Sequence, residues 1–510
     1  MAAKRCVIAV DLADVWGAPD RKELLRTLAW GDEVIVIDVT AEHVELEFKS
    51  FAEQQDGSIS PIIQAGYLKP LKSARLSPAD LIVPAEDHKV LKVNFVDVQQ
   101  GDGAVIEAPD GQVMLVDGGD NQMFARYLAG RFRGTSLENP KLIACILVTH
   151  GDADHFEGLV EIHDSERNPT LHKRLFIQPE RVYHNGLVKR PSKRDGRALK
   201  DVELLGPTVK EGDQVYLTGL VDSLVDVPDE EMNQPFRAWK RALEDYGSRA
   251  AVEIRRLGMG DDEAFDFLRA SGVEVQCLGP LVEEVNGELA LKFLGEPANG
   301  VRTSEESLGT AVDGFKGLSA SHTINGHSVV FRMSYGKFSY LFCGDLNDES
   351  SRSLVAQQEA GRLALRSDVF KVPHHGSADF SGAFVKAVEP IISVVSSGDE
   401  SARKEYIHPR ATLMGALGRH SRIDEPLIFV TELVAFFQME GWAKPVDDAK
   451  AATRGSFFGF SRAAFGIVKT RTDGERLLVY TDSGNVKMKE AYAFGMTEDG
   501  MPMPAQVVRA

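Results

Sequence analysis

Four side chains that can ligate a divalent cation fall within six positions in the run THGDADH: His150, Asp152, Asp154 and His155. Imidazole and carboxylate are the ligand types that hydrolytic metal ions take. The run follows LIACILVTH, a continuous apolar segment of strand length, and precedes FEGLVEIHDS, which reads as a helix start. A buried strand would therefore anchor the backbone while the loop after it gathers the ligands. A polar loop that merely caps strand and helix accounts poorly for so many ligand types at alternating spacing.

Other residues of similar chemistry sit at strand ends further along. Asp345 closes LFCGD, and His327 opens GHSVV. His374 and His375 are adjacent in VPHHGS, so in an extended segment one would face the site and the other would pack or meet substrate. His408 precedes Pro409, and His184 in VYHNGL reads more naturally as a turn histidine than as a substrate contact. Asp97 and Asp117 end strands near the ligand run, and Gly118 and Gly119 would let backbone pass close to it. VKRPSKRDGRALK brings Lys189, Arg190, Lys193 and Arg194 together with Arg197 and Lys200, a segment that either holds a phosphate backbone or is a solvated loop.

The elements that must position these residues are strand-rich. VLKVNFVDV, AVIEA and VMLVDGG read as consecutive strands, HSVVFRMSYGKFSYLFCGD as two strands around a YGK turn, and FGIVKTRTDGERLLVYTD as a hairpin with DG at its tip. Residues 228–272 have helical spacing and strong helix formers, and are expected to be a helical insertion. Three units are expected: a small β-barrel-like unit over 1–75, a hydrolase domain over 88–425, and a C-terminal extension over 426–510 packed on it. At 510 residues the chain is too long for one ordinary core. The net charge of −18 argues against coating nucleic acid by bulk charge, though not against a local basic groove. The apolar run Cys6–Val10 is too short for a signal-peptide core, and no run approaches the length of a spanning helix, so no membrane partner is expected. Cys6, Cys145, Cys277 and Cys343 are far apart with no CxxC pair; this fits free thiols and a cytoplasmic location.

The ordered motifs resemble the metallo-β-lactamase superfamily, which carries His-x-His-x-Asp-His at this point. The His-x-Asp-x-Asp-His found here is similar to one branch, the hydrolase domain of bacterial DNA-uptake competence proteins. VDVQQGDG (96–103), VMLVDGG (113–119), LFCGD (341–345), VPHHGS (372–377) and IHP (407–409) follow that branch's order over roughly residues 91–410. The membrane channel of those proteins has no counterpart in this sequence, so transport is not carried over. The resemblance implies an α/β fold, a four-layer αββα sandwich, carrying two divalent metal ions: zinc or manganese, with magnesium also compatible. One ion would be held by His150, Asp152 and one of His327, His374 or His375, the other by Asp154, His155 and His408, with Asp345 bridging. Asp154, His374 and His375 would serve catalysis, while Asp97, Asp117, Gly118 and Gly119 brace the ligands. The implied activity is a phosphodiesterase, foremost a nuclease. The alternatives are hydrolysis of a small phosphoester, cyclic nucleotide or lactone, and a non-catalytic adaptor recruited through the N-terminal segment. TLAWGDEVIVIDV with AGYLKP in that segment resembles a bacterial Src-homology-type small β-barrel, a kind of module that binds protein partners.

Overall fold

The computed structural model describes residues 4–53, 59–73, 75–297, 315–398, 408–434, 436–443, 457–464, 466–483 and 490–510. Two sheets face each other at its centre. The first has ten strands in the order Glu253–Arg256, Arg181–His184, Cys145–Leu147, Val113–Val116, Ala104–Glu107, Leu91–Val96, Ile467–Thr472, Arg476–Asp482, Ala491–Met496 and Pro502–Ala505. The second has six: Val273–Gly279, Val330–Tyr335, Phe338–Phe342, Val369–Lys371, Ile392–Val395 and Leu427–Val430.

The apolar pattern explains why the sheets pack this way. Successive strand residues point to opposite faces, and both faces of these strands are apolar. Val93, Phe95, Met114 and Leu147 of the first sheet meet Phe331, Tyr340, Phe342 and Val394 of the second in one core. The alternate residues turn outward: Leu115, Ile146 and Val182 pack beneath Phe124, Phe156, Leu159 and Trp239 of the helices Met123–Arg131, Ala153–Ser165 and Gln234–Arg249. On the far side Leu341, Phe370 and Val395 pack under the helices Asp348–Glu359, Gly382–Val388 and Ala411–Arg419. The result is four layers, helix on sheet on sheet on helix.

Part of each sheet is parallel. Val113–Val116, Cys145–Leu147, Arg181–His184 and Glu253–Arg256 run together in the first. Phe338–Phe342, Val369–Lys371, Ile392–Val395 and Leu427–Val430 do so in the second. Loops leaving the carboxyl ends of parallel strands form the usual binding crevice of such sheets. Asp117, His150, Asp345 and the His374–His375 pair all lie on such loops.

The expected helical insertion at 228–272 is helical only in part. Gln234–Arg249 is a helix capped by Asn233, whose side chain accepts from the Phe236 N–H at 3.1 Å. Glu253–Arg256 then forms the edge strand of the ten-stranded sheet, and Asp262–Ser271 is a 3-10 turn. The alternating EIRRL sequence satisfies its backbone by pairing with Arg181–His184, which overrides its helical propensity. The C-terminal hairpin also differs from an extension laid over the domain. Its first strand, Ile467–Thr472, pairs antiparallel with Leu91–Val96, so the hairpin lies inside the sheet.

The N-terminal unit is a seven-stranded antiparallel sheet that includes Ile82–Pro84. It is tied to the sandwich by the last residues of the chain. The Leu12 and Asp14 N–H groups donate to the carbonyls of Val508 and Ala510, and the Ala510 N–H returns to Leu12. The buried Asp11 accepts from Arg476 Nε at 3.2 Å and from the Val508 N–H at 2.7 Å. The four cysteines are buried and free. Among the described residues no helix is long and apolar enough to cross a membrane.

Candidate metal centre

Asp345 sits at the meeting point of the two crevices. Its carboxylate oxygens lie 3.2 Å from His155 Nε2, 3.2 Å from His375 Nε2, and 3.9 Å from both His150 Nε2 and His374 Nε2. His375 Nε2 is also 3.7 Å from an Asp154 oxygen. Two sets of ligating atoms, His150–His155–Asp345 and Asp154–His155–His375, are each close enough to share one ion.

The hydrogen bonds behind the three buried imidazoles decide which nitrogen faces inward. His155 Nδ1 is 2.9 Å from Asp117, whose carboxylate also accepts from the Thr149 N–H at 2.8 Å and the Thr149 hydroxyl at 2.7 Å. His150 Nδ1 faces the hydroxyls of Thr149 (3.2 Å) and Ser328 (3.3 Å). Both hydroxyl protons are already given away, to Asp117 and to the Asn325 carbonyl, so His150 Nδ1 must donate. His375 Nδ1 faces two acceptors, the Ser396 carbonyl at 3.2 Å and Asp102 at 3.3 Å. When neutral, each of the three rings therefore carries its proton on Nδ1 and turns a lone pair on Nε2 toward Asp345. Those three Nε2 atoms and Asp345 Oδ1 are buried with no hydrogen-bond partner. Buried polar atoms left this way are costly unless something binds them, and imidazole lone pairs around a carboxylate are what a divalent cation takes.

Burial opposes charge on His155 and His375, but Asp345 with Asp117 raises the first well above 6.5, and Asp345 with Asp102 raises the second to about 10, so a cation would displace an Nε2 proton from each. Burial opposes the charge on Asp345, but His375, His155 and His374 around it hold its carboxyl well below the usual range. Burial and the neighbouring His155 push His150 down to about 3, leaving it neutral and free to ligate. Burial pushes Asp117 upward, while its bonds from His155 and Thr149 pull it back.

Local backbone makes this convergence possible. His374 and His375 both adopt left-handed conformations, with φ of 51° and 52°. The extended arrangement expected for VPHHGS would have sent the rings apart, whereas this tight turn brings both to Asp345. Such conformations cost about 1–3 kcal/mol each and persist here because the strands on either side fix the turn. Gly101, at φ 99°, passes so close to the ligand helix that a Cβ would lie 1.7 Å from the Asp154 carbonyl oxygen.

Other expected ligands stand apart. Asp152 Oδ1 accepts from Lys189 Nζ at 2.9 Å, and its other oxygen is 3.0 Å from the Asn325 amide, so its carboxylate turns out of the cluster. His327 Nε2 bonds the Lys292 carbonyl at 2.7 Å behind the site, which removes it from the ligand set. The His408 ring centroid is 6.2 Å from that of His374, one imidazole further out, and His408 belongs to none of the ligating sets among the described residues. Asp97 accepts from the Gln99 N–H at 3.1 Å and braces the loop that carries Asp102. Gly118 and Gly119 bond the His155 and Asp102 carbonyls through their N–H groups at 2.7 and 2.8 Å.

His184 is buried away from the cleft. Its Nδ1 accepts from the Gly186 N–H at 3.0 Å, and Nε2 faces the Asp222 carbonyl at 3.3 Å. A proton on Nδ1 would break the first bond, and burial lowers the ring from its ordinary 6.5 to about 4. The unfolded chain then binds the extra proton first, so stability falls as pH drops from about 6.5 toward 4 and is flat above that window. Thermal melts of His184→Asn should show a shallower loss across this range than the parent; equal slopes would refute the assignment.

In the basic segment, Arg190 and Arg194 both pair with Glu231 at 2.8 Å, and Arg197 pairs with Glu203 at 2.8 Å. Lys193 is exposed in a short hairpin. Much of the positive charge is thus answered within the protein. Residues the sequence reading did not single out are Lys371, Gln100, Thr149, Ser328 and Ser396. The one visible signal was a lysine inside the apolar run DVFKV.

No family model matches the chain. A stretch of 98 residues is 31% identical to ComE operon protein 3 of Bacillus subtilis (strain 168), covering 19% of this chain and 12% of that protein. A stretch of 97 residues is 36% identical to Competence protein ComA of Neisseria gonorrhoeae, covering 19% of this chain and 13% of that one. The chain is therefore similar to a small part of each of these proteins.

Proposed function

We propose that the chain is a metal-dependent phosphodiesterase that cleaves nucleic acid. The observation that carries this reading is the convergence of three unpartnered Nε2 atoms on Asp345, with Asp154 beside them. His150, His155 and Asp345 would hold one divalent cation, and Asp154 with His375 a second, the His155 nitrogen serving one of the two. When bound, such cations supply Lewis-acid polarisation of a phosphoryl oxygen and make water a usable nucleophile near neutral pH. The mixed set of imidazoles and carboxylates suits zinc or manganese, with magnesium next.

The protein's own groups divide the remaining work. Asp154 keeps 23% of its side chain exposed, and Gln100 Nε2 holds its Oδ2 at 2.9 Å; its carboxylate would take a proton from the attacking water. His374, 26% exposed, would donate from its ring to the leaving oxygen. The ion pairs within the basic segment favour a second reading, hydrolysis of a small phosphoester, since Arg190 and Arg194 are already engaged. Recruitment of a protein through the N-terminal sheet is compatible with either.

The test is a manganese-supplemented cleavage assay on single- and double-stranded DNA, RNA and cyclic dinucleotides, with Asp154→Ala as control. Elemental analysis should find two metal ions per chain. Chelation should lower the melting temperature, because a ligand at about a thousandfold its Kd contributes about 4 kcal/mol to the folded state. A metal-free protein with an unchanged melt after chelation would sink the proposal. Arg190→Gln with Arg194→Gln decides between substrates: turnover on DNA insensitive to both the substitution and salt would leave the small ester.

A further inference from the structure

Lys371 ends a central strand of the six-stranded sheet and is 4% exposed. Its Nζ donates to Asp102 at 2.7 Å and to the Val372 carbonyl at 2.9 Å. Asp102 is equally buried and comes from the other sheet, on the loop between Leu91–Val96 and Ala104–Glu107. Its second oxygen is 3.3 Å from His375 Nδ1. Ser396 closes the arrangement, since its carbonyl faces the same Nδ1 at 3.2 Å while its hydroxyl bonds the Gly101 carbonyl at 2.9 Å. A buried lysine is expensive, and neither of its bonds is needed to complete a strand ladder.

We propose that Lys371 and Asp102 are positioning residues that reach across the two sheets to lock the His375 ring with Nδ1–H outward and Nε2 on Asp345. The inference rests on the metal-centre reading above and names the device that orients one of its ligands. A carboxylate behind a ligating imidazole fixes ring and tautomer, and its loss typically costs 10–100-fold in metal affinity. Lys371 holds that carboxylate in place: its Nζ bonds one Asp102 oxygen and so aims the other at His375 Nδ1.

The experiment uses the full chain with manganese and zinc as probes. Lys371→Met, Asp102→Asn, Lys371→Arg and the doubly neutral Lys371→Met/Asp102→Asn are compared by chelator competition, thermal melt and histidine nitrogen NMR of the metal-free protein. Metal affinity should fall 10–100-fold in Lys371→Met and Asp102→Asn, recover in part in Lys371→Arg, and stay low in the double variant even where its melt returns to the parent value. NMR should show His375 Nδ1–H in a stronger hydrogen bond in the parent than in the two single neutral variants. Parent-like affinity in the double variant, or affinity lost only in step with the melt, would overturn the proposal. If the parent binds no metal, the metal reading fails by itself, and an unchanged His375 signature in Asp102→Asn would still refute the positioning role.

Discussion

Asp345→Asn is expected to lower phosphodiester cleavage by about a thousandfold, equivalent to about 4 kcal/mol of barrier, with far-ultraviolet circular dichroism unchanged. The substitution keeps the shape of a side chain that is 3% exposed. It replaces one carboxylate oxygen with an amide that has no lone pair to offer, while three Nε2 lone pairs still face it. Metal content should fall together with turnover, so the two measurements are made on the same preparation. A variant that keeps both full metal and full turnover would show that Asp345 is not the shared ligand. His155→Ala should resemble it, because His155 is the residue common to both sets of ligating atoms.

Among substitutions, the largest effect on stability is expected at Arg476. This side chain of the ten-stranded sheet holds Asp11 of the N-terminal sheet and also donates to the Gln506 carbonyl at 2.8 Å. Arg476→Ala leaves Asp11, 3% exposed, as a buried charge without its partner. Arg476 is itself partly exposed and Asp11 keeps the Val508 N–H, so the loss costs about 1–3 kcal/mol. Denaturant titration should show that cost, and a second, earlier transition should appear if the N-terminal sheet comes away from the sandwich. A change below about 0.5 kcal/mol, the scale of ordinary surface substitutions, would mean that the backbone bonds of Leu12 and Asp14 hold the two units alone.

Much of the central architecture was legible because its signals are local. LIACILVTH reads as one buried strand, and its second half is one at Cys145–Leu147, while Lys141–Ile143 breaks away at Ala144 to pair with Ile177–Pro179. The TDG turn likewise announces its own hairpin. The partners of that hairpin were not legible, since pairing of Ile467–Thr472 with Leu91–Val96 depends on which remote edge is open. The site divides in the same way. Its residue types could be named, but which of them converge depends on backbone that composition does not encode. Two left-handed histidines bring His374 and His375 together, while Lys189 and Lys292 draw Asp152 and His327 elsewhere. Lys371 and Ser396 escaped notice because their meaning comes from the opposite sheet.

The seam between Leu91–Val96 and Ile467–Thr472 has a consequence for how the molecule is made. An interior position of the larger sheet is filled by a strand that the ribosome makes more than 370 residues after its neighbour Leu91–Val96. Until then the nascent polypeptide presents an unzipped apolar margin, the kind of edge that invites mispairing. Closing it joins segments far apart in the chain, which makes folding slow. Yield in a cell should therefore respond to chaperone supply and growth temperature more than the finished protein's own robustness would indicate.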